Sequence, residues 1–174
     1  MTAFDAMSEK SNHIYFIEND TGTPVVRIVG RATCLNCEPF RAFIEPFTAT
    51  PAATLIIDFE RCLYMDSTFL GLFADAAMRL RKHKPPGKIL ARNLSARNYE
   101  QVKNLGLLHF LDIENPPCTT RREDPTAANS LGETAPVNRA AVIRAHEQLI
   151  AANPDNAEVF QEIVNGLCKS KTQR

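Results

Sequence analysis

An acidic residue followed by two hydroxyls stands in the middle of the chain, at Asp66-Ser67-Thr68, just before a strongly apolar stretch. A second acid, Asp58, comes directly after the apolar run Leu55-Ile56-Ile57. Aspartate and serine favour the start of a helix, where backbone N–H groups are unpaired and carry about half a positive charge. Because such a helix start accepts a phosphate and fixes its geometry, Ser67 is a candidate phosphoacceptor.

A phosphate on Ser67 would change the charge of this segment strongly. It would place about −1.5 to −2 charges beside Asp66 and Asp58. The helix start favours that charge, whereas the neighbouring carboxylates oppose it. A partner protein docked over the site would meet both the added bulk and the added charge. The competing interpretation is that Ser67 only caps a helix, which is worth about 1 kcal/mol of stability.

The pair Cys34-Leu35-Asn36-Cys37 indicates a second chemistry, thiol redox. It follows a predicted strand and precedes a predicted helix, a position in which the helix start lowers the pKa of a thiol. Its flanking residues lack the Trp-Cys-Gly-Pro character of thioredoxin-like proteins, and the hairpin before it gives the wrong order of elements. The competing interpretation is two small buried cysteines in a loop.

Other catalytic and metal-binding patterns are weaker. One C-x-x-C occurs without a second cysteine or histidine pair at zinc-finger spacing. The histidines are scattered, and no nucleophile, base and orienting acid stand out as a set. The glycines are dispersed rather than gathered in a phosphate-binding loop. We therefore expect no enzyme activity, no metal and no cofactor.

The segments around Ser67 predict the elements that must position it, in the order β-β-α-β-α-β-α-β. Their approximate spans are 14–17, 25–29, 40–47, 55–57, 67–84, 89–90, 95–105 and 109–113. The third strand is expected to end at Asp58, and a short loop then leads to a helix that starts near Asp66 or Ser67. Such alternation predicts an α/β fold with parallel neighbouring strands and helices packed on the sheet.

The composition changes after the last predicted strand. Residues 115–136 are rich in proline and polar residues, which predicts a linker or an ordered surface loop. Two amphipathic helices follow, at about 138–152 and from Asn153-Pro154 onwards. We therefore divide the chain into an N-terminal tail (1–13), an α/β domain (14–114), a linker (115–136) and a C-terminal helical hairpin (137–174). Because such a hairpin is too small to fold alone, it must pack on the domain, a partner or a second copy.

The overall composition excludes several classes of protein. Lys+Arg and Asp+Glu both total 20, and this balance argues against a nucleic-acid partner. Hydrophobic residues make up 44% of the chain, which indicates a globular protein. No apolar run approaches a secretory signal or the ~18 residues of a membrane span. The five cysteines cannot all pair within one chain, so we expect a cytoplasmic protein without membrane insertion.

The segment Met65-Asp66-Ser67-Thr68-Phe69-Leu70-Gly71, preceded by the strand ending in Asp58, resembles the signature of STAS domains, the anti-sigma factor antagonists. The resemblance extends over about Ile14 to Ile113 and includes the order of elements and the turn at Gly30. It implies a STAS-like α/β fold, a small mixed sheet with helices packed on it. It also implies a switch protein that is not an enzyme.

In that family, a partner kinase of the GHKL ATPase fold, which doubles as the anti-sigma factor, phosphorylates the serine directly after the aspartate. The unmodified antagonist binds this kinase and frees the sigma factor, phosphorylation breaks the complex, and a PP2C-type phosphatase restores it. The resemblance implies that Ser67 is the phosphoacceptor and Thr68 a second candidate acceptor. The residues implied to shape the phosphosite or bind the partner are Asp58, Asp66, Thr68, Phe69, Gly71 and Thr33.

The chain departs from the family pattern at two places, and both affect the identity of the partner more than the fold. Many members have a glycine where this chain has Phe69, and an exposed phenylalanine there would enlarge and stiffen the docking face. The loop after the second strand commonly reads Gly-Glu-Leu-Asp, whereas this chain has Gly30-Arg31-Ala32-Thr33. The helical hairpin lies outside the family core; it dimerises the protein, covers the domain or recruits a second partner.

Two other functions stay open at this point. One is a thiol-redox protein that uses Cys34 and Cys37, which would require a thiol pKa below the free value of about 8.5. The other is a STAS-like subunit that docks on a transporter or signalling complex without being phosphorylated. A Ser67 that stays unmodified under all growth conditions would favour this docking subunit.

Overall fold

The computed structural model describes residues 13–18, 22–114, 129–130 and 136–169. The strands are β1 (His13–Glu18), β2 (Pro24–Ala32), β3 (Thr54–Met65), β4 (Lys88–Arg92), β5 (Asp112–Glu114) and β6 (Asn129–Ser130). The α-helices are α1 (Glu38–Phe47), α2 (Ser67–Arg81), α3 (Ala96–Asn104), α4 (Arg139–Ala152) and α5 (Ala157–Lys169). Short 3-10 helices lie at Leu107–His109 and Pro154–Asn156.

The strands form one mixed sheet in the order β5-β4-β3-β2-β1-β6. Strands β2 to β5 run parallel, and β1 is antiparallel to both β2 and β6. Each parallel pair is joined by a helical crossover, which is the connection that parallel neighbours require. The predicted α/β class, a small mixed sheet with helices packed on it plus a C-terminal helical hairpin, is confirmed.

Strand β3 lies in the middle of the core and buries both of its faces in its first half. Leu55, Ile57 and Phe59 belong to the main core with α1 and α2, whereas Ile56 and Asp58 alternate with them and lie on the opposite face. All five side chains are nearly inaccessible to solvent. A continuous apolar run is what a strand covered on both faces needs, and this expectation is confirmed.

The prediction that this strand ends at Asp58 is wrong, since β3 continues to Met65. Its partner β4 ends at Arg92, opposite Asp58, but β2 stays paired with β3 to its end. The register with β2 shifts after Asp58, where β3 carries an extra residue. This second half of β3 has only one neighbouring strand, so it accommodates the charged residues Glu60 and Arg61. Its sequence of apolar and charged residues therefore resembles that of a loop.

Helix α3 completes the hydrogen bonding of this second half of β3. The side-chain amide of Asn98 donates to the carbonyl of Cys62 (3.1 Å), and that of Gln101 donates to the carbonyl of Met65 (3.3 Å). Asn98 is fully buried. Both amides therefore give a hydrogen-bond partner to a backbone carbonyl of β3 in the stretch beyond the end of β4.

The last strand of the domain also differs from its prediction. The span 109–113 was expected to be a strand, whereas the chain forms a 3-10 helix at Leu107–His109 and enters β5 only at Asp112. Helix α3 ends as predicted before Gly106, which adopts a positive φ of 72°. This left-handed residue turns the chain directly into the 3-10 helix, which delays the strand.

The C-terminal hairpin covers the α/β domain, one of the three arrangements left open by the sequence. Helix α4 packs against α2, and α5 packs against α4. Leu149 and Phe160, one from each hairpin helix, join the main core. Burial of side chains of this size contributes about 1.5–3 kcal/mol each, which is why the hairpin stays on the domain.

Two close approaches fix where the hairpin lies. A Cβ on Gly71 of α2 would stand only 2.1 Å from the carbonyl oxygen of Ala145 in α4, so the two helices meet backbone to backbone. At the other end, the amide of Asn156 donates to the carbonyls of Leu105 (3.1 Å) and Leu149 (2.7 Å). The hairpin is thus anchored both on α2 and on the end of α3.

Several predicted segments lie partly or wholly outside the described residues: most of the tail 1–13, the turn at 19–21, most of the linker 115–136, and Cys118. The division of the chain into four parts therefore stays a prediction. Among the helices that the structure describes, none combines the length and the apolar character needed to cross a membrane.

Candidate functional site

Ser67 is the first residue of α2 and follows directly on the end of β3. The preceding Asp66 has an extended backbone, and its Oδ1 accepts a hydrogen bond from the N–H of Phe69 (2.8 Å). This is an N-cap, in which a side-chain oxygen satisfies one of the free amides of the first turn. The cap fixes the point at which the helix begins and therefore the direction in which the Ser67 hydroxyl leaves the backbone.

The same carboxylate also binds the loop between β2 and α1. Oδ2 of Asp66 accepts a hydrogen bond from the N–H of Cys34 (2.7 Å), and the N–H of Asp66 donates to the carbonyl of Ala32 (3.0 Å). Asp66 thus connects the helix start to a loop that is 32 residues away in sequence. The structure places Asp66 directly before Ser67, and its role at a phosphosite stays a prediction.

Thr33 lies in this loop, at the same end of the sheet as Ser67. Its N–H donates to Oδ1 of Asn36 (2.8 Å), and its hydroxyl oxygen accepts from the N–H of Leu35 (3.3 Å). These bonds hold the loop in a tight turn. They also leave the Leu35 side chain 63% exposed, an apolar surface residue two positions from Thr33.

The structure brings to Ser67 a residue that the sequence did not single out, His146 of α4. The Ser67 Oγ and the His146 Nε2 are 2.9 Å apart, and the His146 Nδ1 is 2.8 Å from the carbonyl oxygen of Val142. Because a carbonyl only accepts, Nδ1 carries the hydrogen and the Nε2 of the neutral ring carries the lone pair. With the ring in this neutral form, the Ser67 hydroxyl donates to Nε2.

The surroundings of this imidazole are mostly apolar. His146 is only 4% exposed, and the centroid of its ring lies 5.2 Å from that of Phe160 in α5. The sequence carried one signal for it, because His146 falls on the helix face marked by Val142, Ala145 and Leu149. A histidine on an apolar helix face has a specific partner to satisfy it, and here that partner is the candidate phosphoacceptor.

Asp58 does not belong to this site, in contrast to the expectation. It precedes Met65 by seven residues on an extended strand, so it lies roughly 20 Å from the end of β3 that leads to Ser67. It also lies on the face of the sheet opposite the main core with the helices. Its carboxylate faces Arg27 Nε (3.4 Å) and accepts from the amide of Asn93 (3.0 Å) and the N–H of Glu60 (3.0 Å). Asp58 stabilises the bulge in β3 and has no contact with Ser67.

The three predicted site residues that come after Ser67 in the signature, Thr68, Phe69 and Gly71, do not form an exposed docking face. The expectation of an exposed Phe69 is wrong, since its ring is fully buried and packs against Phe40 with centroids 5.1 Å apart. Thr68 is 4% exposed, and Gly71 lies under α4. The physical reason is that α2 begins at Ser67, which turns the next residues of the apolar stripe towards the sheet and the hairpin.

The thiols at the β2–α1 loop have the wrong electrostatics for redox chemistry. Burial and the nearby Asp66 carboxylate raise the pKa of Cys34, and the same two causes raise the pKa of Cys37 to about 12. A redox pair needs a thiol pKa below the ordinary value, so these raised pKa values argue against the thiol-redox alternative. Across the described ranges, no three His, Cys, Asp or Glu side chains come together as metal ligands.

Comparisons with known proteins return only solved structures. No protein-family model matches the chain, and no curated protein matches it. The chain is similar to the unphosphorylated form of the anti-sigma factor antagonist SpoIIAA, with 24% identity, a TM-score of 0.48, and coverage of 59% of this chain and 88% of that one. It is similar to the phosphorylated form of the Bacillus cell fate determinant SpoIIAA at 24% identity and a TM-score of 0.48, covering 59% and 91%.

Proposed function

We propose that this chain is a cytoplasmic, phosphorylation-controlled switch protein of the anti-sigma factor antagonist kind. Unmodified, it binds a GHKL-type serine kinase that also serves as an anti-sigma factor. Phosphorylation of Ser67 by that kinase releases the chain, and a PP2C-type phosphatase returns it to the binding form. The chain itself carries no catalytic residue in this cycle.

The placement of Ser67 is the observation that supports this proposal most. Ser67 is partly exposed at the first position of α2, beside a loop that Asp66 fixes, whereas the second candidate Thr68 is buried. A kinase must bring the hydroxyl oxygen in line with the phosphate that is transferred, so it needs an accessible hydroxyl on a fixed backbone. Ser67 is partly exposed on such a fixed backbone, whereas Thr68 has the fixed backbone but is buried.

The chemistry of the cycle is a simple exchange at Ser67 Oγ. In the forward step, Oγ attacks the γ-phosphorus of the ATP held by the kinase, the bond to the leaving ADP oxygen breaks, and a carboxylate of the kinase takes up the hydroxyl proton. In the return step, water attacks the same phosphorus on the phosphatase, which restores the hydroxyl and liberates inorganic phosphate. The two steps add and remove about −1.5 to −2 charges.

The charge is added at a place where it acts on a docked partner. The start of α2 favours the phosphate through its N–H dipoles, so the modified chain stays folded at this point. The adjacent Asp66 carboxylate and the new phosphate together present a concentrated negative charge to any protein bound over the loop. A partner surface adapted to a neutral hydroxyl is therefore repelled.

The test is capture of the kinase from a lysate of the native cell, with full-length Ser67→Ala and Ser67→Asp chains as baits. Ser67→Ala should retain a GHKL-type kinase, identified by mass spectrometry, and Ser67→Asp should lose most of it. Ser95 provides a matched control, because it caps α3 as Asp66 caps α2, with its Oγ accepting from the N–H of Asn98. Ser95→Asp should bind like the unmodified chain.

Equal capture by Ser67→Ala and Ser67→Asp would contradict the proposal. It would instead support a docking subunit that is not controlled by phosphorylation. Loss of capture with Ser95→Asp as well would show that any added acid weakens binding, and Ser67 would then have no special role.

A further inference from the structure

The C-terminal hairpin touches the hydroxyl to which the proposed function assigns the phosphate. His146 of α4 accepts the hydrogen bond of Ser67, at 2.9 Å between Nε2 and Oγ, across 79 residues of sequence. This contact is the place where the hairpin, α4 with α5, reaches the start of α2. A modification of Ser67 Oγ therefore directly alters its contact with His146.

We infer that phosphorylation of Ser67 and the seating of the C-terminal hairpin on α2 exclude one another, so that the phosphate loosens the hairpin. The inference rests on the proposed function for the role of Ser67 as phosphoacceptor. It adds the means by which one modified side chain changes a large part of the molecular surface.

The imidazole of His146 occupies one side of Ser67 Oγ. A phosphoryl group on that side would bring three oxygens to the position that the imidazole now occupies. In its present form the ring directs the Nε2 lone pair at Oγ, because Nδ1–H donates to the carbonyl of Val142 at 2.8 Å. In this neutral form of the ring, the lone pair would face anionic oxygens, which turns the hydrogen bond that joins α4 to Ser67 into an unfavourable contact.

The groups that contact the His146 ring are uncharged: the Ser67 hydroxyl, the Val142 carbonyl and the ring of Phe160. The ring is 4% exposed and packs against Phe160, whose own side chain is 7% exposed. Burying a doubly charged group against such surfaces is costly without paired cations. On the other side of Ser67, Asp66 adds a like charge while its two oxygens stay engaged with the amides of Phe69 and Cys34.

The hairpin has no room to adjust towards α2. One helical turn after Ser67, Gly71 lies so close to α4 that a Cβ would be 2.1 Å from the Ala145 carbonyl oxygen and 2.7 Å from its Cα. Ala145 is the immediate neighbour of His146. Because the backbones already touch, α4 cannot come closer to α2, and a shift of α4 that relieves a clash at Ser67 takes it away from α2.

Movement of α4 away from α2 alters the surface that a partner meets. It uncovers apolar side chains on both sides, including Leu149 of α4 and the face of α2 around Gly71. A partner that binds the form with α4 packed on α2 then loses part of its binding surface. It also meets the new negative charge. Since coupling is reciprocal, any substitution that unseats the hairpin also favours phosphorylation of Ser67.

The experiment installs phosphoserine at position 67 of the full chain by expanded genetic code, so that no kinase is needed. Amide hydrogen exchange, followed by mass spectrometry, is compared between this protein and the unmodified chain. Peptides from α4 and α5 should exchange at least about tenfold faster in the phosphoserine protein. Peptides from β2 and from the first half of β3 should exchange at unchanged rates, which shows that the domain remains folded.

Two further proteins make the result specific. Phosphoserine at position 95 places the same charge at another helix start and should leave α4 and α5 protected. Gly71→Ala, which forces the helices apart without charge, should accelerate exchange in α4 and α5 as the phosphate does. This second protein defines the exchange pattern of a loosened hairpin.

Three results would overturn the inference. Unchanged exchange in α4 and α5 would mean that the phosphate turns into solvent and leaves the hairpin in place. Slower exchange would mean that a protonated His146 clamps the phosphate and tightens the hairpin. Faster exchange throughout the chain would mean that the fold is lost rather than the hairpin loosened. Because the phosphate is installed without a kinase, none of these results depends on whether cells phosphorylate Ser67.

Discussion

At the scale of single residues, the organising group of the site is the Asp66 carboxylate rather than the serine beside it. One of its oxygens caps α2 and the other holds the loop at Cys34. The sequence allowed the cap to be predicted, because aspartate before an apolar helical stripe is a start signal that depends only on local residues. The bond to the loop could not be predicted, since it requires the fold to bring two distant segments together.

Replacement of Asp66 by alanine should therefore cost more than an ordinary helix cap. Loss of the cap costs about 0.5–2 kcal/mol, and the Cys34 amide also loses its acceptor, so we expect a total of about 2–3 kcal/mol. Urea denaturation measures this loss. Asp66→Asn retains one acceptor oxygen and should cost about 1 kcal/mol. Equal losses for the two substitutions would indicate that the negative charge, and not the pair of hydrogen bonds, is what stabilises the site.

His146 shows the limit of residue-level prediction. Its position on the apolar face of α4 was visible in the sequence, but its partner was not, because 79 residues separate it from Ser67. Conversely, Asp58 was assigned to the site because it precedes Ser67 closely in sequence. On an extended strand, a few residues span a large distance, so closeness in sequence did not bring the two together.

At the scale of elements, the predicted order of strands and helices in the domain was correct, and the errors lie at the ends of strands. Strand β3 was predicted too short because its second half has only one strand beside it and therefore lacks the apolar pattern of the first half. Because of the same error, a loop was predicted between Asp58 and α2, whereas β3 continues through this stretch to Met65. Asp58 was therefore expected close to Ser67. Long, evenly covered elements such as α2 were predictable, whereas half-covered ones were not.

The packing of α4 on α2 makes opposite predictions for two helical glycines. Gly71→Ala gains helix propensity but places a methyl group against the Ala145 carbonyl, so we expect a net loss of about 1–3 kcal/mol. Gly166→Ala in α5 has open space around the new Cβ, so we expect a gain of about 0.5–1 kcal/mol. Chemical denaturation of both variants measures the two changes under the same conditions. A Gly71→Ala variant that is stabilised like Gly166→Ala would show that α4 does not rest on α2 in solution.

At the scale of the whole molecule, the hairpin turns an α/β domain into a structure in which the candidate phosphosite is shared by two parts of the chain. The sequence predicted that two short amphipathic helices must pack on something, because they are too small to fold alone. The sequence could not predict which surface of the domain they pack on, because several apolar faces are available and the choice depends on how closely the backbones can approach. Two features fix the position of the hairpin. Gly71 allows α4 to approach α2 closely, and the amide of Asn156 makes two hydrogen bonds.

We propose that phosphorylation of Ser67 switches this molecule. The most direct measurement is phosphosite mapping by mass spectrometry on protein isolated from its native cell, with and without phosphatase treatment, over several growth and stress conditions. We expect a phosphatase-sensitive phosphate on Ser67 and none on the buried Thr68. A Ser67 that stays unmodified in every condition would contradict this proposal, and Ser67 would then be only the first residue of a helix and the hydrogen-bond partner of His146.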